Sequence, residues 1–140
     1  GAVWVTDHEN DKVVKLKADG TGELARVSGF DNPWGISVNQ ADGTVWVSSW
    51  HQNQVIKLAA NGAELVRKGG FYHPAGVAVD SARNVVWIAD YDNSQVVRLN
   101  ASDGTELARI TGFNRPIWIS VRPRAGIIWR AATEMLTRST

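Results

Sequence analysis

The sequence predicts an all-β repeat protein, and three observations carry that prediction. Tryptophan recurs at steps of 42, 41 and 42 residues, within Val3-Trp4-Val5-Thr6, Val45-Trp46-Val47-Ser48, Val86-Trp87-Ile88-Ala89 and Ile127-Ile128-Trp129-Arg130. Other landmarks keep the same step: Gly29-Phe30, Gly70-Phe71 and Gly112-Phe113, then Pro33, Pro74 and Pro116. So do Glu23-Leu24-Ala25-Arg26, Glu64-Leu65-Val66-Arg67 and Glu106-Leu107-Ala108-Arg109. A fixed period of this size marks one supersecondary unit copied along the chain, each copy burying its faces on its neighbours. Finally, every copy divides into short β-branched runs separated by turn residues, with no sustained helical spacing before the last dozen residues.

The middle copy shows the elements in order. Gly76-Val77-Ala78-Val79-Asp80 suits a tightly packed strand, and the turn Ser81-Ala82-Arg83-Asn84 leads into Val85-Val86-Trp87-Ile88-Ala89. Asp90-Tyr91-Asp92-Asn93-Ser94 is a second connection, followed by the strand Gln95-Val96-Val97-Arg98-Leu99. Asp103-Gly104 then turns the chain into Thr105–Ile110, because Asp and Gly tolerate positive φ. Equivalent turns recur at Asp19-Gly20, Asp42-Gly43 and Asn61-Gly62. Four short antiparallel strands per unit of this length make a β-propeller blade.

The pattern Pro74-Ala75-Gly76-Val77-Ala78-Val79-Asp80, Val86-Trp87-Ile88-Ala89-Asp90 and Asn93-Ser94-Gln95-Val96-Val97-Arg98-Leu99 resembles the NHL repeat, a blade of six-bladed propellers. The resemblance extends over residues 3 to about 127 and also takes in lactonase-type and lyase-type propellers. With strands lettered A to D from the channel outward, 3–27 supplies B, C and D, and 33–68 and 75–110 supply complete blades. Residues 117–129 supply an A strand at 117–121 and the start of a B strand at 127–130. That is about three blades, where the resemblance implies a ring of six. A second copy related by a two-fold axis is expected to close the ring, the strand at 117–121 completing the partner's 3–27 blade. The rival expectation is that the sequence is an excerpt of a longer chain. Residues 130–140 leave the repeat and read as weakly helical.

Composition narrows the partners. Fifteen basic and fourteen acidic residues leave a net charge of +1, so electrostatics argue for neither a nucleic acid nor an anionic membrane. No apolar run approaches the roughly 20 residues that span a bilayer. Cysteine is absent, which excludes disulfide and thiolate chemistry and leaves the compartment open.

Candidate functional residues follow from propeller topology, in which the D–A and B–C loops emerge together around the channel mouth, where binding usually resides. The periodic tryptophans, phenylalanines and prolines read as structural, and Glu-Leu-x-Arg on strand D reads as a solvated charge pair. Departures from the repeat single out Trp34, Trp50, Tyr72, His73, Tyr91 and Trp118 as an aromatic ligand platform, with His8, His51 and Asp92 at its polar rim. Trp118 stands where Gly35 and Gly76 stand in the other copies. The expected function is a non-catalytic scaffold for a protein, peptide or small ligand, with no cofactor and no metal. There is no nucleophile elbow, no phosphate-binding glycine loop and no carboxylate cluster at the start of strand A. The likeness to lyase-type propellers implies an alternative, a metal-assisted lyase or lactonase with His8, His51 and His73 on a cation and Glu9 or Asp92 orienting them.

Overall fold

The computed structural model describes residues 1–122; the strand expected at 127–130, with Trp129, and the tail at 130–140 lie outside them. Three antiparallel sheets follow one another. Strands β1 (Ala2–Asp7), β2 (Lys12–Lys17) and β3 (Glu23–Val27) form blade 1. Blade 2 comprises β4 (Pro33–Val38), β5 (Val45–Ser49), β6 (Gln54–Leu58) and β7 (Glu64–Lys68). Blade 3 comprises β8 (Pro74–Asp80), β9 (Val85–Asp90), β10 (Gln95–Asn100) and β11 (Glu106–Ile110). Each sheet runs in chain order from the innermost strand outward, as a propeller blade does.

Turn chemistry sets the hairpins. Asp19, Asp42 and Asp103 each accept the backbone N–H of the threonine two residues on, at 3.0, 2.9 and 2.9 Å. Gly20, Gly43 and Gly104 take the positive φ that these turns require. Hydrogen bonds to the charged form hold all three carboxyls below their ordinary 3.8, from the threonine hydroxyl first at Asp19 and Asp42 and from the backbone first at Asp103. The register then places Trp4 opposite Lys15, Trp46 opposite Lys57 and Trp87 opposite Arg98.

Blades pack in one direction. Trp46 is fully buried against Val86, Ile88, Val97 and Leu99 of the next blade, with Phe71 beside it. Trp4 packs likewise on the cluster of Val45, Val47, Ile56, Leu58 and Phe30. Full burial of each such aliphatic side chain contributes about 1.5–3 kcal/mol, so these two seams hold most of the fold's hydrophobic stabilisation. Phe113 and Trp87, equivalent by repeat, face a side of blade 3 on which no described residues form a further blade; Phe113 is exposed and Trp87 half-buried.

The innermost strands meet through glycine. A Cβ at Gly35 would lie 2.9 Å from Val77 N and overlap Ala75 O, and one at Gly76 would lie 2.5 Å from Ile117 O. Gly76 N donates to Ile117 O at 2.7 Å. Residues 117–121 thus lie beside β8 where an innermost strand is expected, but no strand is formed there. The second strand of such a blade, expected at 127–130, lies outside the described residues.

The Glu-Leu-x-Arg motif differs from its expected role. Arg67 bonds Gln54 Oε1 at 2.7 Å and Gly29 O at 3.0 Å as well as Glu64. Arg109 bonds Gln95 Oε1, Gly70 O and the fully buried carboxylate of Asp90, at 2.9, 3.0 and 2.9 Å. The outermost strand is therefore tied to the loops of the channel face. Only Arg26, held by Glu23 and Asp7, is an exposed charge pair.

Candidate functional site

The channel-face loops are clasped from two sides. Each B–C loop is a 3-10 turn, at His8–Asn10, Trp50–Gln52 and Tyr91–Asn93. These turns end on left-handed residues Asp11, Asn53 and Ser94 (φ 57°, 55° and 52°). The side chains of those residues accept the N–H of Asn32, His73 and Arg115 in the following D–A loop, at 2.8, 2.9 and 3.2 Å. From the neighbouring blade, Ser49 Oγ accepts Asp31 N–H at 3.0 Å and Asp90 Oδ1 accepts Tyr72 N–H at 2.8 Å. Asn32, His73 and Arg115 are themselves left-handed, at φ 62°, 51° and 49°. Such a conformation costs about 1–3 kcal/mol at a non-glycine residue, and the clasp offsets it.

This clasp brings all nine expected side chains into one network. His8 meets Trp34 edge-on at 4.8 Å between centroids, and Trp34 lies 5.2 Å from Trp50 and 6.4 Å from Trp118. Trp50 stacks on His73 at 4.7 Å with the planes 3° apart, and meets Tyr91 at 5.0 Å. Tyr72 and His51 stand edge-on to His73, at 4.7 and 6.2 Å. Asp92 Oδ2 accepts from His73 Nδ1 at 2.6 Å. Trp118 is 73% exposed and Tyr72 51%, so the row ends in open aromatic faces. Trp50 is packed on three rings and is only half-exposed, so it serves packing and platform together. A depression of about 250 Å³ lies over Thr6, His8, Pro33, Trp34 and Trp118.

The histidines do not converge. Trp34 and Trp50 stand between His8 and His73, and His8 Nδ1 donates to Pro33 O at 3.4 Å while His51 Nδ1 donates to Asp31 Oδ1 at 3.2 Å. Among the described residues no group of three or more His, Cys, Asp or Glu side chains is placed to hold a metal ion.

Two contributors escape sequence reasoning. Arg115 pairs through Nε with Asp92 Oδ1 at 3.2 Å and lies over the Tyr91 ring at 5.5 Å. Asp31 orients His51. The signal for Arg115 was positional: it occupies the slot of Asn32 and His73 before the repeat proline.

Comparison with known proteins agrees with this architecture. The NHL repeat family model matches residues 71–99. Solved structures with the same fold include a hydrazine synthase of Kuenenia stuttgartiensis (TM-score 0.79, 11% identity, covering 87% of this chain and 36% of that one). A nidogen/laminin complex (0.75, 20%, 86% and 48%) and virginiamycin B lyase from Staphylococcus aureus (0.70, 20%, 86% and 42%) are also similar. The chain spans between about a third and a half of the length of these solved chains. No curated protein matches it in sequence. Fold and loops together define a β-propeller chain. One stretch of it, residues 71–99, matches the NHL repeat, and the described residues hold about three blades.

Proposed function

We propose that this chain is a non-catalytic binding scaffold whose channel face recognises an extended peptide segment of a partner protein. The observation that carries the reading is the continuous aromatic row. Its rings, spaced 4.7 to 6.4 Å apart, run across loops of all three blades, a length suited to an elongated ligand rather than a compact one. Such a face combines flat apolar contact with the polar groups of its tyrosines and histidines, the composition of binding hot spots. Asp31, Asp92 and Arg115 border the row with charges of both signs, which suits the alternating donors and acceptors of a peptide backbone. The clasped loops pre-order these side chains, which lowers the entropy lost on binding. Propellers of similar fold include both enzymes and a protein complex, so likeness of fold does not choose between the two uses.

A displayed random peptide library, selected on the immobilised wild-type chain, tests the reading. Peptides so selected should bind Trp118→Ala at least tenfold more weakly, with an unchanged melting temperature, since Trp118 is exposed and its loss leaves no cavity. Selected peptides that bind Trp118→Ala and His73→Ala as well as wild type place recognition elsewhere and overturn the proposal.

A further inference from the structure

We propose that two copies of this chain associate through their two open blade faces, the Trp87 face of each packing on the Val3–Val5 face of the other. This inference does not depend on peptide recognition at the channel mouth. Within one chain the same pair of faces is already packed twice. Blade 1 presents Trp4 and Lys15 to the aliphatic face of blade 2, and blade 2 presents Trp46 and Lys57 to that of blade 3. At each seam the lysine crosses to a turn carbonyl of the next blade, Lys15 Nζ to Ala60 O at 2.6 Å and Lys57 Nζ to Ser102 O at 3.1 Å. The glycine of that same turn seats on the donor blade, Gly62 against Val27 and Ala25, and Gly104 against Val66 and Trp46.

Blade 3 carries the donor half of a third seam. A groove of about 370 Å³ opens over Trp87, Val96, Ile110, Phe113 and Trp118. Phe113 is 46% exposed where its equivalents Phe30 and Phe71 are 7% and 6%. Arg98, in the slot of Lys15 and Lys57, buries its Nε with no hydrogen-bond partner. Arg98 lies over the Trp87 ring at 5.8 Å as Lys15 lies over Trp4 at 5.5 Å, so the cation that crosses to a turn carbonyl at the other two seams is in place here as well.

Blade 1 carries the acceptor half. Val3 and Val5 are 46% and 39% exposed, whereas the equivalent Val45, Val47, Val86 and Ile88 are all 0%. Gly20, equivalent to Gly62 and Gly104, has nothing within 4 Å of its Cβ position. Seating one face on the other covers Val3 and Val5 with Trp87 and brings Arg98 to Ala18 O of the second copy, the counterpart of Ala60 and Ser102. The free inner edge of β1 then meets residues 117–121, which have no strand partner among the described residues. Head-to-tail contacts of this kind close into a pair when a two-fold axis repeats them, and otherwise add further copies. At the channel, Trp118 replaces the glycine of the other junctions, so the second copy's β4 stands further off there and the channel mouth widens beside Trp118.

Light scattering across a range of concentrations tests the pairing with the full chain and two charge variants. Wild type should have twice 15.3 kDa, and Val5→Lys and Trp87→Glu alone should each have 15.3 kDa with wild-type circular dichroism. Mixing the two variants should restore the doubled mass, because one seam is then intact and the other pairs Lys with Glu. If Val5→Lys fails to fold, Val3→Lys takes its place. A monomeric wild type, covered on these faces by other residues of its own chain, overturns the proposal. Variants that keep the doubled mass, a mixture that stays monomeric, or masses that climb past two copies overturn it equally.

Discussion

Alanine at Gly35 should unfold this protein at a markedly lower temperature, for reasons that can be followed atom by atom. The added Cβ would stand 2.9 Å from Val77 N and 3.1 Å from Gly76 C, with Ala75 O closer still, and all three belong to the innermost strand of blade 3. Ordinary contact begins at 3.4 Å, so β4 and β8 must separate. Separation on the order of 1 Å is a large strain in a close-packed interior. It also breaks a buried chain of hydrogen bonds in which Gly35 N donates to Ser48 Oγ at 2.8 Å and Ser48 Oγ donates to Ala75 O at 2.6 Å. Overpacking costs about 1–3 kcal/mol, and a buried polar group left unpaired costs about 1–3 kcal/mol more. The combined loss of about 2–6 kcal/mol, at about 3–4 °C per kcal/mol for a chain of this length, corresponds to a fall of roughly 6–24 °C in melting temperature. Thermal unfolding followed by tryptophan fluorescence measures it, with Gly69→Ala as control, since a Cβ there meets nothing within 4 Å. A Gly35→Ala melting temperature within about 2 °C of wild type would falsify the close approach of innermost strands on which the blade geometry rests.

Other perturbations separate structure from recognition. Arg109→Met strips the guanidinium from the fully buried Asp90 carboxylate and should destabilise by about 2–4 kcal/mol, whereas Arg26→Met, at a solvent-screened exposed pair, should change stability far less; urea denaturation ranks the two. Trp50→Ala should lower the melting temperature, because stacked aromatic pairs are worth about 0.5–1.5 kcal/mol beyond area, whereas Trp118→Ala should leave it unchanged. The turn carboxylates at Asp19, Asp42 and Asp103 have folded pKa values below 3.8, so their stabilisation is present above that value and lost as pH falls through the lower folded ones. A triple Asp→Asn variant should accordingly show a shallower decline in melting temperature below pH 3.8 than wild type.

The period was enough to reveal the blades because each seam repeats the same apolar pairs, and a seam cannot shift without exposing Val45, Ile56 or Trp46. The nine candidate side chains were legible as a group for a topological reason: B–C and D–A loops share one end of the propeller. Their order within the row was not. The stack of Trp50 on His73 depends on a left-handed backbone at His73, imposed by Asn53, and nothing about a histidine before proline announces that conformation. Arg109 was misread for a related reason, since its partner Asp90 lies on β9, two strands inward, and the pairing appears only once the sheet is formed. Residues 117–121 lie beside β8 as expected but form no strand among the described residues.

Seven tryptophans provide built-in reporters for the recognition surface. The decisive measurement is an indole N–H resonance titration of the wild-type chain with a library-selected peptide, each signal assigned by a Trp→Phe variant. The account predicts movement of the Trp34, Trp50 and Trp118 signals and stillness at Trp46, which is sealed between blades. Movement confined to Trp4 or Trp87, on the blade sides, would contradict it.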